Sequence, residues 1–168
     1  MITIHESGMA FGPYEDDRVY HVERSSLYQG ISAAKTVEFI LAQSEDALLF
    51  VEAKSSSPKP VVGNRENFQD YSEDIAEKFL HSLNLFCAAL LGRHDLICDM
   101  PDSFRAMDSG HVSIKFLLVI NGHPAEWLPP IQTALDQKLR SYRSIWGSEV
   151  VVLNHEMALR RHLIQPPA

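Results

Sequence analysis

Three residues in the stretch VEFILAQSEDALLFVEAK, residues 37–54, have types and spacing that could do chemistry together: Glu38, Glu52 and Lys54. Both acids lie in apolar runs, where a charge is costly unless something offsets it. The polar QSED break between the runs predicts a β-hairpin. With Ser44-Glu45-Asp46 as the turn, residues facing each other have numbers that sum to 90, so Glu38 falls opposite Glu52. Side chains alternate along a strand, which puts Glu38, Glu52 and Lys54 on one side of the ribbon. A slip of one residue would destroy this arrangement. Two facing carboxylates repel. A hard divalent cation, Mg²⁺ or Mn²⁺, is their natural partner, because such ions take one or two carboxylates plus water. An amine beside that centre can orient a nucleophilic water or stabilise developing negative charge. The set would serve metal-assisted phosphodiester hydrolysis, with Glu38 and Glu52 as metal ligands and Lys54 as the catalytic amine.

Blander readings use the same residues. Glu52 and Lys54 also fit the solvated end of a strand, and Glu38 fits a surface charge at the start of its neighbour. A hairpin with a wet open end needs no ion. A third reading keeps the fold and has lost the chemistry.

The elements that must hold these residues are legible in part. MITIHE and RVYHVERS read as one or two edge strands, with GPYEDD as a turn and SSLYQGISAA as a short helix or a loop. KTVEFILA and ALLFVEAK are apolar on both faces, as in the centre of a covered sheet. Pro58 and Pro60 forbid a regular helix in the connection that follows. Phe68, Tyr71, Ile75, Phe79, Leu83, Phe86 and Leu90 recur at helical steps and predict a helix over 66–91, stopped by Gly92. VSIKFLLVIN is a buried strand. PPIQTALDQKLRSYRSIWG is a helix with Pro129 and Pro130 in its first turn, SEVVVLN is another strand, and HEMALRRHLI is a short helix capped by Asn154. The expected fold is a single α/β domain over residues 1–168. Its mixed central sheet has an antiparallel hairpin or meander followed by helix-separated parallel strands, with helices on both faces.

The hairpin stretch resembles the PD-(D/E)xK nuclease superfamily, which has the restriction-endonuclease-like fold. Its members carry an acid near the start of one strand and an acid-x-lysine motif on the next. Here Glu38 stands where the family usually has aspartate, Glu52 is the second acid and Lys54 the lysine. The family's core order is helix, three-strand meander, helix, strand. Residues 66–91 and 112–121 match the last two elements, and the resemblance spans roughly residues 1–121. No proline precedes Glu38, and the family's N-terminal helix, which often contributes a further glutamate, is not evident. Glu6 and Glu23 are the available acids, with Glu23 preferred, and Gln69 is a candidate contact on the following helix. Asp136-Gln137-Lys138 also satisfies acid-x-lysine, but within a helix. Asp46 lies about 20 Å from Glu52 along the strand. The resemblance implies a Mg²⁺- or Mn²⁺-dependent nuclease.

Composition sets the background. The chain has 168 residues, a formal net charge of −7, 45% hydrophobic and 22% charged residues, which are the proportions of a globular protein. An acidic chain repels phosphate backbones on average, which weighs against a nucleic-acid partner without excluding a local basic patch. The alternative is a non-catalytic interaction or assembly subunit, such as a homo-oligomer, on the same scaffold. Apolar runs are too short for a transmembrane helix and the N-terminus lacks a signal-peptide pattern, so the expected location is cytoplasmic with no membrane partner. Cys87 and Cys98 read as reduced thiols; His94 and Cys98 have a ligand-like spacing but no second pair. Lys115 either covers the sheet edge or faces the acids. Arg140, Arg143, Arg160 and Arg161 either form solvated helix faces or a phosphate-contacting patch. Trp127 and Trp146 read as packing or interface residues, and none of the eight scattered histidines has a catalytic setting.

Overall fold

β-branched and aromatic residues dominate the apolar runs, and in the computed structural model their backbones pair into two sheets. The structure describes residues 1–29, 31, 34–59, 61–93, 99–108 and 110–166, so His94 and Cys98 lie outside the described residues. Strands β1 (Ile2–Glu6) and β2 (Met9–Tyr14) form an antiparallel two-stranded sheet. Strands β3 (Val19–Tyr20), β4 (Phe39–Ser44), β5 (Ala47–Lys54), β6 (Ser113–Ile120) and β7 (Glu149–Asn154) form a five-stranded sheet in sequence order. β3, β4 and β5 pair antiparallel, whereas β5, β6 and β7 run parallel.

The segments between strands supply the covering layers. A four-residue helix α1 (Ser26–Gln29) precedes β4. Helix α2 (Arg65–Leu90) links β5 to β6, with the short α3 (Asp102–Ala106) after it. Helices α4 (Leu128–Lys138) and α5 (Arg140–Trp146) link β6 to β7, and α6 (His155–Arg160) follows directly. The single helix expected after Trp127 is thus two, joined at Leu139. Gly147, at φ 59°, ends the second in the left-handed conformation that glycine adopts without strain. Asn154 caps α6 by accepting from Met157 N at 3.0 Å.

The even-numbered strand residues Ile40, Ala42, Leu48, Phe50, Phe116, Leu118 and Val152 pack against Ile75, Phe79, Leu83 and Phe86 of α2 and Ile131 and Leu135 of α4. The odd-numbered residues Phe39, Leu41, Leu49, Val51, Leu117 and Val119 pack against Ile4, Met9 and Phe11 of the first hairpin and against Ala158, Leu163 and Ile164. Helices do lie on both faces, but among the described residues the second face carries α6 alone, beside the first hairpin. That hairpin overturns the reading of GPYEDD as a plain turn, because Met9–Tyr14 is itself a strand. Ser7 at φ 51° and Gly8 at φ 75° make the tight two-residue connection whose twist suits a hairpin. Among the described residues no helix is long and apolar enough to cross a membrane.

Strand β7 is an edge, yet its outward backbone groups are not all free. Gln132 on α4 donates from Nε2 to Val150 O at 2.9 Å and accepts from Val152 N at 3.0 Å. One side-chain amide thereby takes the place of a neighbouring strand over part of the edge.

Candidate functional site

Phe39 faces Val51, Ile40 faces Phe50, Leu41 faces Leu49 and Ala42 faces Leu48, so facing numbers sum to 90. The turn is shorter than expected, with Ser44 facing Ala47, and a bulge between Ala42 and Ser44 absorbs the difference. Just before β4, Glu38 N donates to Val51 O at 3.1 Å, the residue that Phe39 faces, and the charge of Glu52 reaches Glu38. Glu52 and Lys54 share the parity of Leu48 and Phe50, which face α2, whereas the alternation breaks at Glu38, because Val37 packs on the α2 face and Phe39 on the other.

Glu52 is fully buried, at 0% exposure, and is not the solvated end of a strand. Its Oε1 is held by two ammonium groups, Lys54 Nζ at 3.0 Å and Lys78 Nζ at 2.8 Å. Its Oε2 is equally buried and has no hydrogen-bond partner among the described residues. Burial pushes the Glu52 carboxyl above its ordinary value, and Lys78 and then Lys54 pull against that. Burial alone would lower the amine of Lys78, but the charge of Glu52, with Glu38 and Asp74 behind it, raises it above its ordinary value.

Glu38 is half-buried rather than a surface charge. Burial pushes its carboxyl up to about 7, and the charges of Glu52, Glu6 and Glu23 add to the rise while Lys78 opposes it. Both acids available in the N-terminal region therefore reach this site electrostatically, Glu6 more strongly than the preferred Glu23. Glu6 arrives on the first hairpin, whose turn is fastened when Asn121 Nδ2 donates to Ser7 O at 3.0 Å, just past the end of β6. Gly8 permits that closeness, since a Cβ there would meet Asn121 Nδ2 at 2.9 Å.

Helix α2 contributes the groups that sequence reasoning missed. Tyr71 and Lys78 are seven residues apart, which returns to almost the same face of a helix. The Tyr71 hydroxyl is buried without a hydrogen-bond partner among the described residues, and its pKa is raised by burial and by the charges of Glu52 and Asp74. In the sequence Tyr71 reads only as part of the apolar stripe. Lys78 borders that stripe, between Ile75 and Phe79, and this is the only signal it gives in the sequence.

Other candidates lie elsewhere. Gln69, nine residues before Lys78, sits on the opposite side of α2 and lines a cleft with Arg65, Ser72 and Lys138. Lys115 has odd parity, points to the other face and lies 3.7 Å from Glu149, so it does not face the acids. Arg143 pairs with Asp136 at 2.8 Å and Arg160 pairs with Glu156. Arg161 lines a cleft with Gln43, Leu49 and Lys115, near the opposite end of β5 from Glu52. Trp127 stands edge-on to His123, with Lys59 Nζ 5.2 Å from its ring centroid, while Trp146 is 43% exposed. The Cys87 thiol is free, and burial raises its pKa.

The donor set suits a hard cation in one respect: one buried carboxylate oxygen, Glu52 Oε2, is unspent, and a second carboxylate, Glu38, feels its charge. Among the described residues no three His, Cys, Asp or Glu side chains are grouped to hold an ion, so water would have to complete the coordination. Comparison with protein-family models, with curated proteins and with solved structures returned no match.

Proposed function

We propose that the chain is a metal-dependent phosphodiesterase of nuclease type on a restriction-endonuclease-like scaffold. The observation that carries this reading is the buried Glu52, with Oε2 unpartnered and two lysines on Oε1, and with the half-buried Glu38 close enough to feel its charge. The scaffold reading draws on element order: the antiparallel β3–β4–β5, then α2, then β6 parallel to β5. The groups whose charges reach Glu38 are Glu52, Glu6 and Glu23 against Lys78. Lys54 and Lys78 already offset Glu52, and a divalent cation would balance the acids that remain.

Glu38 and Glu52 would hold the ion, Mg²⁺ or Mn²⁺. When bound, it would supply Lewis-acid charge at the scissile phosphodiester. Glu52 is fixed by its ion pairs and by its place inside a central strand, so it needs little rearrangement to act as a ligand. Lys54, at the end of β5 and 29% exposed, is the amine that can reach a substrate oxygen. There it would neutralise charge that grows on the phosphoryl group or position the attacking water.

The second reading is a non-catalytic interaction or assembly subunit in which the acids and lysines are a structural ion cluster. It draws on the net charge of −7 and on the place of Arg161, which lies away from the acids. Metal-dependent melting separates the two. A ligand bound only by the folded state, at a hundred times its dissociation constant, adds about 2.7 kcal/mol. For a chain of this size that raises Tm by about 5–11 °C. Mn²⁺ is expected to shift the native protein and to leave Glu38→Gln and Glu52→Gln unshifted. Equal melting with and without millimolar Mn²⁺ supports the interaction protein.

A further inference from the structure

We propose that the two lysines on Glu52 have separate tasks: Lys78 is its permanent counter-ion and a positioning residue, and Lys54 is the exchangeable partner that leaves Glu52 for the phosphodiester. This inference rests on the reading of the site as a phosphodiesterase. A single lysine could not do both tasks well. The amine that neutralises a buried carboxylate cannot move to a substrate without leaving that charge unpaired, which is strongly destabilising. The second lysine removes the conflict.

The geometry of the two amines is unequal in the way this division requires. Both approach the same oxygen, Glu52 Oε1, so either can serve as its partner alone. Lys78 is the closer at 2.8 Å, and its side chain is 16% exposed. It stands in the middle of the 26-residue α2, between Ile75 and Phe79, both at 0% exposure, so its stem is carried by a well-packed stretch of helix. Lys54 is farther at 3.0 Å, is 29% exposed, and is the last residue of β5, followed by irregular backbone through Lys59. Releasing Lys54 leaves Glu52 paired to Lys78 and its Oε2 still available for a cation. Releasing Lys78 would leave Lys54 committed to Glu52.

The test compares Lys54→Met, Lys78→Met, Lys78→Arg and the double variant Glu52→Gln/Lys78→Met. Melting of the metal-free protein reads the anchoring role. Lys78→Met is expected to lower Tm by about 6 °C or more, and Lys54→Met by less than about 3 °C. The double variant, which no longer strands a buried charge, is expected to recover most of the loss, and Lys78→Arg to melt near the native protein. Hydrolysis of bis(p-nitrophenyl) phosphate with Mn²⁺ reads the chemical role. Lys54→Met is expected to lose about 100-fold in turnover with its Mn²⁺ dissociation constant changed less than about threefold. Lys78→Arg is expected to keep at least about a tenth of native turnover. Equal Tm losses for the two methionine variants, or a larger loss for Lys54→Met, overturn the division. So does a double variant that fails to recover, which also decides the matter if Lys78→Met alone does not fold. No hydrolysis by the native protein overturns the phosphodiesterase reading and the role of Lys54, while the melting comparison separately decides Lys78.

Discussion

A carboxyl group that titrates near 7 changes how pH acts on this protein. The ordinary value of 4.5 applies to Glu38 in the unfolded chain, whereas burial and neighbouring acids raise it to about 7 in the folded one. Between those values the folded protein keeps a proton that the unfolded chain releases. The contribution of Glu38 is therefore fully present below about 4.5 and is lost as pH rises through 7. His21 and His123, whose values burial lowers, act in the opposite sense and lose stability as pH falls below 6.5. Comparing denaturant melts of native protein and Glu38→Gln between pH 5 and 8 isolates the glutamate. The variant is expected to gain on the native protein as pH rises, by on the order of 1 kcal/mol once solvent screening at this half-buried position is allowed for. Parallel stability curves would show that Glu38 titrates as an ordinary surface acid.

Elements position these residues, and some of that positioning is legible in local sequence. The β4–β5 register follows from two apolar runs and the parity of their buried residues. Although the turn is one residue shorter than expected, the bulge before Ser44 restores the same pairing. The amphipathic run over 66–91 likewise gives α2, observed as Arg65–Leu90, because its stripe is long and regular. Lys78 was not legible. A lysine at the margin of an apolar stripe looks like any solvated residue until the strand beneath it is known to carry Glu52. The first hairpin was missed because Gly12 and Pro13 interrupt the alternation of β2 and suggest a turn. The cap on β7 could not be read either, since Gln132 acts through tertiary contact alone. Its two hydrogen bonds lead to the expectation that Gln132→Ala costs about 1–3 kcal/mol. Exposure of the edge should also make the variant self-associate at high concentration, measured by denaturation and light scattering. A variant as stable and as monodisperse as the native protein would mean that the edge is protected by something else.

At the scale of the molecule the parts fit a division between scaffold and site. Two apolar layers sandwich the five-stranded sheet, α2 and α4 on one side and the hairpin with α6 on the other. The charged cluster lies where β4 begins and β5 ends, reached by α2 from above and by the hairpin turn from the side. The net charge of −7 and the distance of Arg161 from this end argue against long duplexes gripped along their backbone. The proposed function depends on Glu38 and Glu52 sharing one cation, and a titration with Mn²⁺ followed in the carboxyl carbon resonances of labelled glutamate tests that most directly. The signals of Glu38 and Glu52 should broaden first and together, at substoichiometric Mn²⁺. Broadening of other carboxylates first, or of neither of these two, would contradict the shared site and leave the cluster as a structural feature of the fold.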